Sequence, residues 1–331
     1  MSDSNHSPPS STGHRGLLAS LATVVAAGAA TALWVRHRAR QAEREHFPIG
    51  RFLEVDGVCL HYLERGQGPA VVLLHGNGVQ LEDFIASGLV DALARRHRVI
   101  AIDRPGFGYS QRPRLRRWTP QAQAALLWKA LGWLGVEHPV IVGHSWGTLV
   151  AVAMGLRAPA DVAGLVLMSG YYYPTARPDV WLNLPGAVPG VGDVLGHTAL
   201  PLAWRALLRR AVRTMFAPWP VPDDYLDVVP RELILRPSQI RAASEDATFL
   251  VPAVETLHRL YPHLTMPVTV LAGEEDHVVD PARQSEQLHR DIPHSVLVLT
   301  PGAGHMIHHG GTAAVVNAVG AMTGIGLHLV V

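Results

Sequence analysis

The chain carries one stretch whose local chemistry leaves few folds open, Val140-Ile141-Val142-Gly143-His144-Ser145-Trp146-Gly147-Thr148. Three β-branched apolar residues in a row predict a strand buried on both faces. Thr148 to Arg157 reads as a helix that follows at once. A strand turning directly into a helix around G-x-S-x-G puts the serine on a strained bend, with its Oγ lifted above the sheet. Gly143 and Gly147 lack a Cβ and let strand and helix approach closely enough to hold that bend. The backbone N–H of Trp146 then stands at a helix N-terminus, where it can donate to a developing oxyanion. Taken alone, the same residues also fit a tight turn with an idle serine.

Length and charge narrow the rest. The 331 residues, 48% hydrophobic and 17% charged, suffice for one large domain or one domain with an insertion. A net charge of +1 offers no electrostatic case for a nucleic-acid partner. The group Arg112, Arg114, Arg116 and Arg117 fits a solvated loop better than a binding patch. Cys59 is the only cysteine, which excludes an intramolecular disulfide and a thiolate metal site. The 19 histidines show no metal-ligand spacing. His308 and His309 are adjacent, which does not put both rings on one helical face. No metal is expected, and nothing here sets an oligomeric state.

Residues 1–15, rich in Ser, Pro, His and Gly, read as disordered. Residues 16–35 contain no charge, and as a helix they would span about 30 Å, the thickness of a bilayer's hydrocarbon core. Trp34 sits at the end of the run, where an interfacial aromatic belongs. Arg36, Arg38, Arg40 and Arg44 follow it, against Arg15 alone on the other side. This predicts a single transmembrane helix with the domain after it in the cytoplasm. A cleaved signal peptide, with Ala27-Gly28-Ala29 as its cleavage site, and a soluble docked helix are the competing readings. Residues 36–50 read as a polar linker.

From residue 51 the rhythm is that of a sheet. Arg51 to Val55 and Val58 to Leu63 predict two strands joined by an Asp56-Gly57 hairpin turn. Ala70 to Leu74, Arg98 to Ile102, Val140 to Val142, Val162 to Met168, Val268 to Leu271 and Val296 to Leu299 predict six more. Between them, Val79 to Arg96 is broadly helical, and Pro120 to Leu134 is a helix with proline in its first turn. Alternating strands and helices imply an α/β fold, a mostly parallel sheet covered on both faces. Residues 171–266 break the alternation and read as an inserted, mainly helical cap, with a clear amphipathic helix from Pro201 to Phe216. Residues 51–170 and 267–331 are then the two parts of one core.

In such sheets functional loops gather at the carboxyl ends of the strands. Four loops there carry reactive groups: His75 to Gly78, His144 to Gly147, Glu274 to Asp276, and His305. The chain resembles the α/β-hydrolase fold family from about Phe52 to about Ala318. The resemblance rests on His75-Gly76-Asn77-Gly78, Asp103-Arg104-Pro105-Gly106-Phe107-Gly108-Tyr109-Ser110, Gly143-His144-Ser145-Trp146-Gly147, Gly273 with Asp276, and Gly304-His305. It is similar to serine hydrolases of the capped, lipase- and esterase-like branch. The resemblance implies Ser145 as nucleophile, Asp276 as acid and His305 as base. It also implies backbone N–H donors to the oxyanion from Asn77 and Trp146, with the Asp103–Ser110 loop structural.

Each assignment has rivals in the chain. His277, His308 and His309 compete with His305; Glu274, Glu275 and Asp280 compete with Asp276, although Asp280 before Pro281 looks like a helix N-cap. His75 and His144 read as packing residues, as do the aromatics Tyr171, Tyr172, Tyr173, Trp181 and Trp219, some of which are expected to line an apolar pocket. A serine nucleophile argues against haloalkane dehalogenation and epoxide hydrolysis, branches that use an aspartate there. The expected function is hydrolysis of a carboxylic ester or similar acyl substrate, small and apolar, without cofactor. Carbon–carbon bond hydrolysis or acyl transfer on the same fold, and a non-catalytic receptor or scaffold, are the alternatives.

Overall fold

A computed structural model describes residues 12–175 and 178–325. Helix α1 (Thr12–Glu45) leads into a hairpin of β1 (Arg51–Val55) and β2 (Val58–Arg65). Its turn uses Asp56 and Gly57 at φ 50° and 72°, as a primed two-residue turn requires. Then come β3 (Ala70–Leu74), α2 (Glu82–Ala86), α3 (Leu89–Ala94), β4 (Arg98–Ile102) and α4 (Pro120–Trp133). They are followed by β5 (Val140–His144), α5 (Gly147–Arg157) and β6 (Gly164–Met168). An insertion carries α6 (Pro178–Ala187), α7 (Val191–Gly196), α8 (Ala199–Phe216), α9 (Tyr225–Val228), α10 (Arg231–Ile234) and α11 (Pro237–Leu257). The chain then adds β7 (Val268–Gly273), α12 (Ser285–Asp291), β8 (Val296–Thr300), α13 (Ile307–Gly310) and α14 (Thr312–Thr323).

The eight strands form one sheet in the order β1-β2-β4-β3-β5-β6-β7-β8. Only β1 with β2 and β2 with β4 pair antiparallel. This is the expected α/β architecture, with the helical cap inserted between β6 and β7. Strand alternation explains the double cover. Val72, Leu74 and Ile141 point into a core shared with Trp118, Leu126 and Leu149 from the α4–α5 side. Val71, Leu73, Val140 and Val142 point the other way, into a core with Phe84, Leu89, Val315 and Val319. A third core under the cap joins Leu208, Val212, Phe216 and Tyr225 to Met306.

The chain after β3 crosses to β4 on one side, and the chain after β4 crosses back to β5 on the other. The loops after β3 and β5 therefore flank the crevice where ligands bind in open α/β sheets. Both sequence loops singled out there, at His75 and at Ser145, lie beside this switch point.

Two local expectations differ from what is found. Residues 79–96 form two short helices, because Gly88 adopts φ 71° between them. Residues 36–45, read as linker, continue α1 to Glu45. Side-chain pairs extend the helix: Arg38 donates to Gln41 Oε1 at 3.0 Å, and Gln41 donates to Glu45 Oε1 at 2.7 Å. Val35 and Ala42 are also buried against the folded domain. Of the N-terminal stretch read as disordered, residues 12–15 belong to α1, and 1–11 lie outside the described residues.

Candidate active site

Ser145 occupies the bend between β5 and α5 with φ 51°, a left-handed conformation a non-glycine residue adopts at a cost. Its N–H donates to Met168 O at 2.8 Å, and its carbonyl accepts from Thr148 N and Thr148 Oγ1 at 3.0 and 2.6 Å. Those bonds over-determine the bend. A Cβ at Gly143 would stand 2.8 Å from Gly147 O, and one at Gly147 would overlap the Leu74 carbonyl. The close approach inferred for the two glycines is thus physical.

His305 Nε2 lies 3.0 Å from Ser145 Oγ, and His305 Nδ1 lies 2.8 Å from Asp276 Oδ2. With the carboxylate accepting from Nδ1–H, Nε2 is left to accept from the hydroxyl. The other carboxylate oxygen, Asp276 Oδ1, accepts from Val278 N and Val279 N, both at 2.8 Å. Asp276 and His305 are buried, whereas Glu274, Glu275, His277 and Asp280 are exposed. Asp280 Oδ1 instead accepts from Ala282 N and Arg283 N, in the manner of an N-cap.

The loop after β3 lies directly against the serine, since a Cβ on Gly76 would sit 3.2 Å from Ser145 Cβ. The Gly76 carbonyl accepts from His75 Nδ1 at 2.8 Å and from Arg104 NH2 at 2.9 Å. In a trans peptide the N–H of Asn77 points opposite that carbonyl, so two donors pinning the oxygen also aim the N–H. His75 Nε2 accepts from Arg104 N at 2.9 Å, which makes His75 a fully used structural imidazole. Arg104 itself is buried. Its guanidinium donates to His75 O at 2.8 Å, pairs with Asp246 Oδ2 of α11 at 2.7 Å, and lies 4.4 Å over the Trp146 ring. Asp246 is also paired with Arg112 at 2.9 Å. One buried charge network therefore ties the β3 loop, the serine bend and the cap together. Nothing in the sequence pattern around Asp103-Arg104-Pro105 marks Arg104 for this, because its partner lies 142 residues away.

The rest of the Asp103–Ser110 loop is structural, as expected. Asp103 accepts from His61 Nδ1 at 2.7 Å and from Leu81 N at 2.9 Å, and Gly108 at φ 49° leaves room for its carboxylate. His144 Nε2 donates to the His305 carbonyl at 3.1 Å, bracing the loop that carries that imidazole.

A second buried cluster went unread in the sequence. His308 Nε2 and His309 Nε2 reach the two oxygens of Asp83 at 2.9 and 3.0 Å, and Tyr225 OH donates to Oδ1 at 3.0 Å. The two adjacent histidines converge despite their neighbouring positions, because α13 is only one turn long and the carboxylate offers an oxygen to each. The three ligand-type atoms lie within 4.8 Å of one another. At the observed distances they are already joined by hydrogen bonds, which any cation would have to replace.

An apolar cavity of about 290 Å3 opens between the β3 loop and the cap. Asn77 and Val79 line one end, and Trp204, Leu208, Phe216 and Leu235 line the other. Among the described residues, the aromatics in its wall are Trp204, Phe216 and Tyr225. Tyr171 and Tyr172 are core residues, Tyr173 donates to Asp291 at 2.6 Å, and Trp219 packs by Gly310. The side chain of Trp181 lies outside the described residues.

Burial, helped by the nearby Arg104 cation, pushes the His75 imidazole down to about 3. The folded protein therefore keeps His75 neutral where the unfolded chain, with an ordinary histidine value near 6.5, takes up a proton. Stability from this residue is complete above about pH 6.5 and falls roughly tenfold in the folding equilibrium per pH unit down to about pH 3. Urea midpoints measured from pH 7 to pH 4 are expected to fall less steeply for His75→Asn than for the parent. An identical pH slope would remove His75 from this account.

Residues 69–312 match the family model for the alpha/beta hydrolase fold. An uncharacterized protein of Mycobacterium tuberculosis is 28% identical over 284 residues, covering 82% of this chain and 80% of that one. The enol-lactonase from Burkholderia xenovorans superposes with a TM-score of 0.66 at 22% identity, covering 82% of this chain and 99% of that one. A thermophilic esterase from Thermogutta terrifontis does so with a TM-score of 0.61 at 23% identity, covering 82% and 97%. Likeness at such identities speaks for the fold. With a family match that runs from β3 through the cap to the start of α14 and takes in every loop of the candidate site, the chain belongs to the α/β-hydrolase fold family.

Proposed function

We propose that the protein is a serine hydrolase acting on a carboxylic ester through an acyl-enzyme. The observation that carries the reading is the 3.0 Å contact between His305 Nε2 and Ser145 Oγ, with Asp276 on the far nitrogen. In this mechanism His305 takes the hydroxyl proton as Oγ bonds to the acyl carbon, and Asp276 holds the tautomer and stabilises the imidazolium. The negative charge on the former carbonyl oxygen is met by the N–H groups of Asn77 and Trp146. His305 then returns the proton to the leaving alcohol. Water, deprotonated by His305, attacks the acyl carbon; the bond to Oγ breaks, the imidazolium returns its proton to Ser145, and the acid leaves. The cavity beside Asn77 suits an apolar acyl group. A fluorophosphonate probe should label Ser145 in purified protein, and turnover of an ester panel should exceed that of dienoic ketoacids. Absent labelling favours a non-catalytic scaffold; preference for ketoacids favours carbon–carbon cleavage.

We further propose that residues 16–35 anchor the protein in a membrane, with the domain in the cytoplasm. Support comes from a helix long and apolar enough to span a bilayer, its surface exposed at Leu21, Val24, Val25 and Leu33. The arginines that follow Trp34 favour the cytoplasmic side for the domain. Protease added to intact cells should leave the hydrolase domain whole and digest it only after lysis. Digestion in intact cells would overturn the orientation, and recovery of the full chain in the soluble fraction would overturn the anchor.

A further inference from the structure

The proposed anchor is not a free tether. Over its last turns α1 lies on the cap, with Val35 and Ala42 buried. Arg38 NH2 stands 3.2 Å from Glu232 Oε1 of α10, and Glu43 Oε1 stands 3.0 Å from Arg236 NH1 at the start of α11. The Arg205 guanidinium of α8 lies 5.4 Å from the centre of the Trp34 ring and donates to Glu232 Oε1 at 2.8 Å. Above this clamp α1 has no protein cover at Leu21, Val24, Val25 and Leu33.

The clamp coincides with the wall of the cavity. Leu235 faces the cavity that begins at Asn77, and it also borders the cleft lined by Trp34, Val35, Arg38 and Ala39 of α1. One side chain thus separates the cavity from the level at which α1 leaves its apolar run. Helix α8 repeats the division. Trp204, Leu208, Val212 and Met215 face the cavity, while Leu202, Leu207, Arg209, Arg210 and Arg213 are exposed. An outward face of two leucines among arginines, next to an apolar helix of bilayer length, matches the boundary of a membrane with anionic headgroups.

Resting on the hydrolase and anchor readings above, we propose that the cavity is loaded directly from the bilayer. Its substrate is then a membrane-resident ester bearing a single acyl chain, which enters beside α1 along α8 and α10. Each methylene slows escape of such a chain into water by about fourfold, so a route through water fails as the chain lengthens. A cavity whose wall abuts the anchor at headgroup level avoids that step. Its volume, about 290 Å3, suits one chain rather than two.

The test compares two esters with the full-length protein reconstituted in vesicles of phosphatidylcholine and phosphatidylglycerol. One is a water-soluble butyrate ester; the other is a single-chain decanoyl ester embedded in the same vesicles. Arg38→Ala/Glu43→Ala releases α1 from the cap without touching the cavity or the residues around Ser145. Its rate on the embedded ester should drop about tenfold or more, through lost effective concentration at the membrane. Its rate on the butyrate should be unchanged, which also reports that the variant is folded. Equal rates of parent and double variant on the embedded ester would overturn the proposal. So would failure of Ser145→Ala protein to float with vesicles, which removes the anchor, whereas failure of the parent to cleave the butyrate removes the hydrolase reading itself.

Discussion

Ser145→Ala is expected to lower kcat on the preferred ester by on the order of 10^6-fold, with the protein still folded and still binding substrate. The size follows from the mechanism proposed above, in which no other side chain supplies an oxygen to the acyl carbon. His305→Ala should cost about as much, because an unassisted hydroxyl is a poor nucleophile, and the double variant should lose little more than either single one. Asp276→Asn should fall short of that loss, about 10^4-fold, since Nε2 then holds the proton it needs to receive. Burst kinetics would report the acyl-enzyme, and thermal melts would report the fold. Near-parental turnover by Ser145→Ala would end the serine mechanism whatever the fate of the other residues.

The second large effect is expected at a residue that touches neither Ser145 nor His305. Arg104→Met should lower kcat about 10^2-fold, the usual size for a lost oxyanion donor, with a much smaller change in KM. The guanidinium holds the carbonyls of His75 and Gly76 at 2.8 and 2.9 Å, and the second of these belongs to the peptide whose N–H is Asn77. Without it only His75 Nδ1 still holds the Gly76 carbonyl, and the N–H is aimed less firmly at the developing charge. The same change should destabilise the fold by roughly 3–5 kcal/mol, because Asp246 is left buried with one cation fewer. The two consequences are separable. Arg104→Met/Asp246→Leu removes both charges and should regain much of the stability while kcat stays low. Arg104→Lys keeps the charge beside Asp246 but loses the planar fork that spans two carbonyls, so its rate should suffer more than its stability. A trifluoromethyl ketone, whose adduct places an oxyanion at the same position, should lose affinity in step with kcat/KM across the series. If kcat returns along with stability in the double variant, Arg104 is only a structural residue.

The elements legible in the sequence are those written in short-range patterns. Runs such as Ala70 to Leu74 and Val140 to Val142 needed only their own apolar, β-branched character, and each is a strand buried on both faces. The Asp56-Gly57 turn and the helix start at Pro120 follow from backbone sterics, and the structure adds a cap there, with Thr119 Oγ1 accepting from Ala122 N at 3.2 Å. The chain from Arg36 to Glu45 failed as a linker for the opposite reason. Its polar residues look solvated in isolation, but their partners, Glu232 and Arg236, stand far along the chain in the cap.

The candidate site divides in the same way. Ser145 could be singled out because two flanking glycines and a strand-to-helix junction are local facts, and Asp276 and His305 because each follows a strand at the same rim. Their distances to one another depend on the parallel register that sets β5, β6, β7 and β8 side by side. Sequence alone therefore determined the strands, the bend and the family. Tertiary structure alone decided that Asp83 meets His308 across 225 positions and Arg104 meets Asp246 across 142, and that α1 rests on the wall of the cavity. Periodicity and turn chemistry act over a few residues and so leave their mark in order along the chain. Buried polar groups instead take whichever partner packing brings within reach, since water is no longer there to satisfy them.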